Sequence, residues 1–252
     1  MRVVENGTKV IILAGGRGKR MGDLTAEKQK CVLPIDGVPI IYQIVEALQE
    51  SFGSLTLMVG LAYRGQDVEE VLDKKKGNGV KISYYPHKEG SESAGAYLSM
   101  EDGVKNGETV IGIPGDVLTS SKTYKETLER QLENGLDVTV TSSVFTDEVD
   151  THPLVKPHEL NAGLVKEFKY PVKPSDDAHG YLRDMGIFGF NHEFFAIMKE
   201  MMPELYGVAT SCLIQELANR GRAGVNVSTD QWLHVGYPED LRKTWKKMDI
   251  AA

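Results

Sequence analysis

Cysteine is nearly missing from this 252-residue chain: Cys31 and Cys212 stand far apart and form no CxxC pair. That excludes a disulfide framework and argues against a thiolate zinc site, so both thiols are expected to be free and packed. Long apolar runs are missing as well. None reaches membrane-spanning length, and MRVVENGTK lacks the apolar stretch of a signal peptide, so a cytosolic protein with no membrane partner is expected. Positive charge is in deficit, and a net charge of -7 opposes binding to a nucleic-acid backbone. There is no internal repeat, no low-complexity linker, and no Ser-His-Asp or Cys-His motif for a protein nucleophile.

Glycine, by contrast, is concentrated where it matters. In IILAGGRGKRMG, residues 11–22, an apolar run stops, three glycines follow, and basic residues come next. Arg17, Lys19, Arg20, Lys28 and Lys30 face only Asp23 and Glu27 in this stretch. A basic loop on an acidic protein suits a small anionic ligand, because long-range steering of a polyanion would be unfavourable.

Strand-like and helix-like segments alternate around it. KVIILAG, LTLMVGL, VKISYYP, ETVIGIPGD and LDVTVTSSVF read as strands. VPIIYQIVEALQESFG, with Pro39 in a first turn, reads as a helix, as do GQDVEEVLDKKKGNG, SAGAYLSMEDGV and KTYKETLERQLENG, the last stopped by Gly135. The rhythm predicts an α/β fold with a mostly parallel sheet and helices on both faces. Residues from about 150 to 190 carry His152, Pro153, Pro157, Pro171 and Pro174 and read as loops and short antiparallel strands. GIFGF then gives a strand, and PEDLRKTWKKM a last helix begun by Pro238. One domain over residues 1–252 is expected, with an elaborated second half that could form a lid or a subunit interface; a homo-oligomer is left open.

Three glycine motifs compete for the loop. The dinucleotide fingerprint GxGxxG fails at Met21, and the P-loop GxxxxGK[ST] fails at Leu13 and at Arg20. The third fits. LAGGRGKRM, then Lys30, then Val32-Leu33-Pro34-Ile35 and Gly37-Val38-Pro39-Ile40 resembles the signature of the NDP-sugar pyrophosphorylases, AGGxGxR(L/M) followed by a lysine, LP and Gly-x-Pro. The physics agrees: glycines let backbone N–H groups approach a triphosphate, Arg20 offers a fork of donors, and Lys30 a point charge.

The resemblance implies a Rossmann-like three-layer αβα domain. Its nucleotide-binding half would run to about residue 145 and its sugar-phosphate half from about 146 to 240. It implies that a sugar 1-phosphate oxygen attacks the α-phosphate of a nucleoside triphosphate and that pyrophosphate leaves. Arg20 and Lys30 would offset the charge, with Leu13, Ala14, Gly15, Gly16 and Gly18 against the nucleotide. Chemistry of this kind needs positioning and charge neutralisation more than a protein nucleophile. Ser93-Ala94-Gly95-Ala96 resembles the family's GTAGA beside the base, with Glu92 in place of glycine. The plainer reading is that Ser93 caps a helix and Gly95 permits close packing.

Asp116 ends an apolar strand, where ligands bind in open α/β sheets, and the family holds Mg²⁺ with an aspartate there. By itself a Gly-Asp pair is also an ordinary turn. The family's second metal aspartate is replaced by His234 in Trp232-Leu233-His234-Val235-Gly236-Tyr237-Pro238-Glu239-Asp240. Neutral imidazole suits transition metals better than Mg²⁺. The ion could rest on Asp116, phosphates and water, or His234 could select another divalent metal, or Asp230 could compensate, or His234 could be polar filler. In the sugar half, Lys173-Pro174 matches the family's Lys-Pro with Val172 for Glu, and Arg183-Asp184-Met185-Gly186 matches its N-x-G with Asp184 for Asn. Lys173, Asp184 and Gly186 would hold the sugar phosphate, and the departures suggest an unusual acceptor. The rival readings are a sister enzyme acting on phosphocholine or a molybdenum-cofactor precursor, and an inactive nucleotide-binding regulatory subunit. A glycosyltransferase is a further rival, but Gly115-Asp116-Val117-Leu118 lacks the second acid of its Asp-x-Asp motif.

Overall fold

The computed structural model describes residues 8–144, 152–159, 163–173, 178–205 and 209–243. Its first half contains strands β1 (Thr8–Leu13), β2 (Pro34–Ile35), β3 (Val38–Pro39), β4 (Leu55–Leu61), β5 (Val80–Pro86), β6 (Thr109–Pro114), β7 (Val117–Thr119) and β8 (Val138–Ser143). Between them lie helices α1 (Ile40–Phe52), α2 (Gly65–Leu72), α3 (Glu92–Leu98) and α4 (Ser121–Asn134). The second half adds β9 (Leu154–Pro157), β10 (Val165–Lys169), β11 (Leu182–Asn191), β12 (Ala223–Ser228) and β13 (Trp232–His234), with α5 (Glu193–Leu205) and α6 (Thr210–Asn219).

Each apolar run becomes a strand because only a strand covered on both faces can bury so continuous a run. β1 pairs in parallel with β4 on one side and β6 on the other, so that Leu13 lies opposite Gly60 and Pro114. β5 extends the parallel part beyond β4. On the far side of β6 the long strand β11 runs antiparallel to both β6 and β8, and β8 pairs in parallel with β12. The chain leaves β1 towards β4 in one direction, while β6 lies in the other. The crevice at the carboxyl ends of β1 and β6 is therefore a topological switch point, where ligands bind in open α/β sheets.

One sheet face packs Ile12, Ile111 and Ile113 against Ile44 and Leu48 of α1 and Tyr124 of α4. The other packs Ile11 and Phe190 against Tyr97 of α3, Phe195 of α5 and Leu217 of α6. Each such side chain, fully buried, contributes about 1.5–3 kcal/mol. The Asp36-Gly37 turn joins β2 to β3 with both residues at positive φ, the geometry of a tight two-residue hairpin.

The Pro-rich stretch does form short antiparallel strands, β9 and β10. Two expectations need correction. Ser93 does not cap α3: the residue before the helix is Ser91, and Ser93 lies inside it, where its Oγ accepts from Thr210 N at 2.7 Å and Thr210 Oγ1 at 2.8 Å. The segment begun by Pro238 is, as far as it is described, a 3₁₀ turn over Pro238–Arg242 and not an α-helix. Residues 244–248 of that segment, and Pro174, lie outside the described residues. No helix among the described residues is long and apolar enough to cross a membrane.

Candidate active site

A cavity of about 550 Å³ opens at the switch point. The glycine loop after β1 forms one wall, Glu92 and Ser93 at the start of α3 another, and Lys30 and Asp116 its floor. Leu13, Gly15, Gly16, Gly18 and Ser93 line it, whereas Ala14, Ala94 and Gly95 do not.

The loop is held from behind by a residue with no sequence signal, Gln29, which is 1 % exposed. Its Nε2 donates to Ala14 O at 2.7 Å and to Gly16 O at 3.1 Å, and its Oε1 accepts from Cys31 N. A planar peptide puts its N–H opposite its carbonyl. With both carbonyls turned to Gln29, the N–H groups of Gly15 and Arg17 are turned away from it. Gly18 takes φ +61°, and a side chain added at Gly16 would meet nothing within 4 Å, so the loop is open at Gly16, whereas at Gly15 a Cβ would meet His87 Nε2. Gln29→Leu leaves these loop groups without their partner. It is expected to cost about 2–3 kcal/mol in chemical denaturation, from buried polar groups left unpaired. An unchanged midpoint would show that Gln29 does not hold the loop.

Asp116 follows β6, and Gly115 N donates to Leu13 O at 2.9 Å. A Cβ at Gly115 would lie 2.8 Å from Cys31 Sγ and 2.9 Å from Leu13 O, so only glycine lets the two strand ends approach this closely. Lys30 Nζ forms an ion pair with Asp116 Oδ2, the two side chains being 12 % and 16 % exposed. Burial works against both charges. Each outweighs it for the other: Asp116 raises the Lys30 ammonium, while Lys30 and His234 hold the Asp116 carboxyl well below the usual range. Burial pushes the Cys31 thiol up to about 12, which leaves it unreactive.

His234 reaches Asp116 through a short ribbon. β13 pairs with β7, placing His234 opposite Val117, and Val235 N donates to Asp116 O at 2.9 Å. His234 Nε2 lies 3.6 Å from Asp116 Oδ2. Behind it, His152 Nε2 lies 3.1 Å from His234 Nδ1, and His152 Nδ1 lies 2.8 Å from Asp184 O. Burial, with His234 alongside, brings the His152 pKa down to about 4. The Asp230 carboxylate is engaged elsewhere: it accepts from Ser120 Oγ and Thr123 Oγ1 at the start of α4.

Arg20 stands outside the cavity wall. Its guanidinium lies 4.9 Å from the centre of the Tyr237 ring, and Tyr237 is fixed by Asp240, whose Oδ2 accepts from Gly236 N at 2.9 Å and Tyr237 N at 2.8 Å. The sugar-half residues are only partly brought together. Asp184 is 3 % exposed, with Oδ1 accepting from Gly186 N at 3.1 Å within a β11 bulge, and burial pushes its carboxyl up to about 7. Lys173 is exposed and does not line the cavity.

Among known proteins, the family model described as Nucleotidyl transferase matches residues 9–249. The chain is 26 % identical over 234 residues to the UTP–glucose-1-phosphate uridylyltransferase AglF of Haloferax volcanii, covering 92 % of this chain and 93 % of that one. It is 29 % identical over 174 residues to the bifunctional protein GlmU of Thermoanaerobacter pseudethanolicus, and the match spans only 36 % of that relative's length. A Bacillus anthracis structure described as a glucose-1-phosphate thymidylyltransferase, in complex with a sucrose, superposes with a TM-score of 0.79 at 24 % identity, over 93 % of this chain and 92 % of that one. At that identity the likeness shows the fold alone: a mostly parallel, Rossmann-like α/β sheet.

Proposed function

The chain belongs to the nucleotidyl transferase family, and from that premise we propose that it joins a nucleoside triphosphate to a sugar 1-phosphate, giving an NDP-sugar and pyrophosphate. The observation that carries the reading is the meeting of Lys30, Asp116 and the glycine loop around one cavity at the switch point. The acceptor's phosphate oxygen attacks the α-phosphorus and pyrophosphate leaves in line. In this reading Lys30 and Arg20 offset the developing charge, and the loop N–H groups hold the phosphates. In this reading Asp116, with His234 Nε2 3.6 Å from its Oδ2, would hold a divalent cation, Mg²⁺ or another, and would share that oxygen with the Lys30 ammonium. When bound, such an ion supplies positive charge to the phosphate oxygens.

The acceptor half favours a second reading of the substrate. With the Asp184 carboxyl turned onto Gly186 N and Lys173 away from the cavity, a phosphorylated acceptor other than a hexose 1-phosphate would suit these residues equally. The test is pyrophosphate release from each nucleoside triphosphate against a panel of sugar 1-phosphates and phosphocholine. At least one pair should turn over, and Asp116→Asn should abolish the metal-dependent rate. Measurable nucleotide binding without turnover in any pair would instead support a regulatory protein.

A further inference from the structure

From the geometry at the cavity mouth we infer that Arg17 is a phosphate-binding residue of this site, and that Glu89 occupies its guanidinium until a polyphosphate displaces the carboxylate. The inference rests on the reading of the glycine loop as the place where phosphates bind.

Arg17 stands between Gly16 and Gly18, and its side chain crosses from the glycine loop to the segment between β5 and α3. There Nε donates to Glu89 Oε1 at 2.6 Å and Nη2 donates to Glu89 Oε2 at 3.0 Å. A guanidinium takes a carboxylate or a phosphate in this same two-pronged way. Both residues line the cavity, so the pair ties two of its walls together. The guanidinium does not owe its place to Glu89 alone. Its carbon lies 5.0 Å from the centre of the Tyr63 ring. Tyr63 N donates to Gly15 O at 3.1 Å, and the Tyr63 hydroxyl lies 2.9 Å from Thr25 O and from Ala26 O. The ring is therefore anchored to the loop itself and remains as a platform when the carboxylate leaves.

Three observations make the pair exchangeable. The two side chains are 55 % and 43 % exposed, and an ion pair in that much water adds little to stability. The space beside Gly16, next to Arg17, is open. The loop also carries Lys19, whose charge acts on Glu89 as well. A polyphosphate brings more charge and more acceptor oxygens to these cations than one carboxylate does. Glu89 is then repelled from a guanidinium that the phosphate has taken. Exchange of this kind favours the anion of higher charge, so the pair selects polyphosphates over single phosphates and carboxylates.

The experiment uses the full chain and inorganic tripolyphosphate, with orthophosphate for comparison, in titration calorimetry. Glu89→Gln removes the resident competitor and should tighten tripolyphosphate binding about 2- to 5-fold. Arg17→Met should weaken it about tenfold and reduce the preference over orthophosphate, and Arg17→Lys, which keeps the charge and loses the fork, should recover only part. Glu92→Gln removes another carboxylate from the same cavity without freeing Arg17, and should change the affinity little. In the wild type, the bond to Arg17 holds the Glu89 carboxyl below the usual carboxylate range. Carbon NMR should show it return to that range once tripolyphosphate is bound. A Glu89 carboxyl that stays low in the complex, or no tripolyphosphate binding at all, overturns the inference and needs no variant to fold. Weaker binding by Glu89→Gln, or equal tightening by Glu92→Gln, also overturns it. If tripolyphosphate displaces Glu89 but no triphosphate and acceptor pair turns over, the transfer reading fails and the exchange stands.

Discussion

Lys30→Met should cost about 1–3 kcal/mol of stability, because it leaves the largely buried Asp116 carboxylate without its partner. It should also cut turnover by at least about 10²-fold through the lost charge on the phosphates. The two effects separate in a double variant. Lys30→Met with Asp116→Asn removes both charges and should regain most of the lost stability in a denaturation series, yet stay inactive. If the single variant melts like the parent, the pair does not hold the floor of the site. If the double variant regains activity, neither residue belongs to the chemistry.

Arg20→Ala should behave in the opposite way. Arg20 is exposed and rests on Tyr237, so its removal should change unfolding by no more than about 0.5 kcal/mol. Turnover should nevertheless fall by about 10²–10³-fold, the usual loss when one charge-stabilising donor is removed. Its charge opposes those of Lys30 and His152, acting to lower the pKa of each. Steady-state kinetics beside a denaturation curve checks both halves. Parental rates would mean that this arginine serves only the surface.

The first half of the fold could be read from residues because its signals are local. LTLMVGL and VKISYYP became β4 and β5 with the bounds the apolar runs suggest, and Gly135 ended α4 in the left-handed region that favours glycine. The second half was less legible. β11 begins at Leu182, well before GIFGF, because Arg183 and Asp184 are buried by pairing with β8 and β9, and nothing in their own polarity announces that. In the site, the glycine loop and Lys30 were singled out by a motif local in the chain and Asp116 by the end of an apolar strand, and they meet at one cavity. Gln29 and His152 were not. Gln29 acts through carbonyls more than ten residues earlier, and His152 meets His234 across 82 positions, distances that only the folded register sets. Ser93 misled for a similar reason: its hydroxyl was claimed by Thr210, at the start of a distant helix.

The ribbon of β7 and β13 has an evolutionary consequence. Position 234 is brought to Asp116 by main-chain pairing, opposite Val117, and main-chain pairing does not depend on which side chain the position carries. That makes it an interchangeable socket. A lineage could exchange the side chain there by point mutation, changing the group that faces Asp116 while the sheet and the loop stay in place.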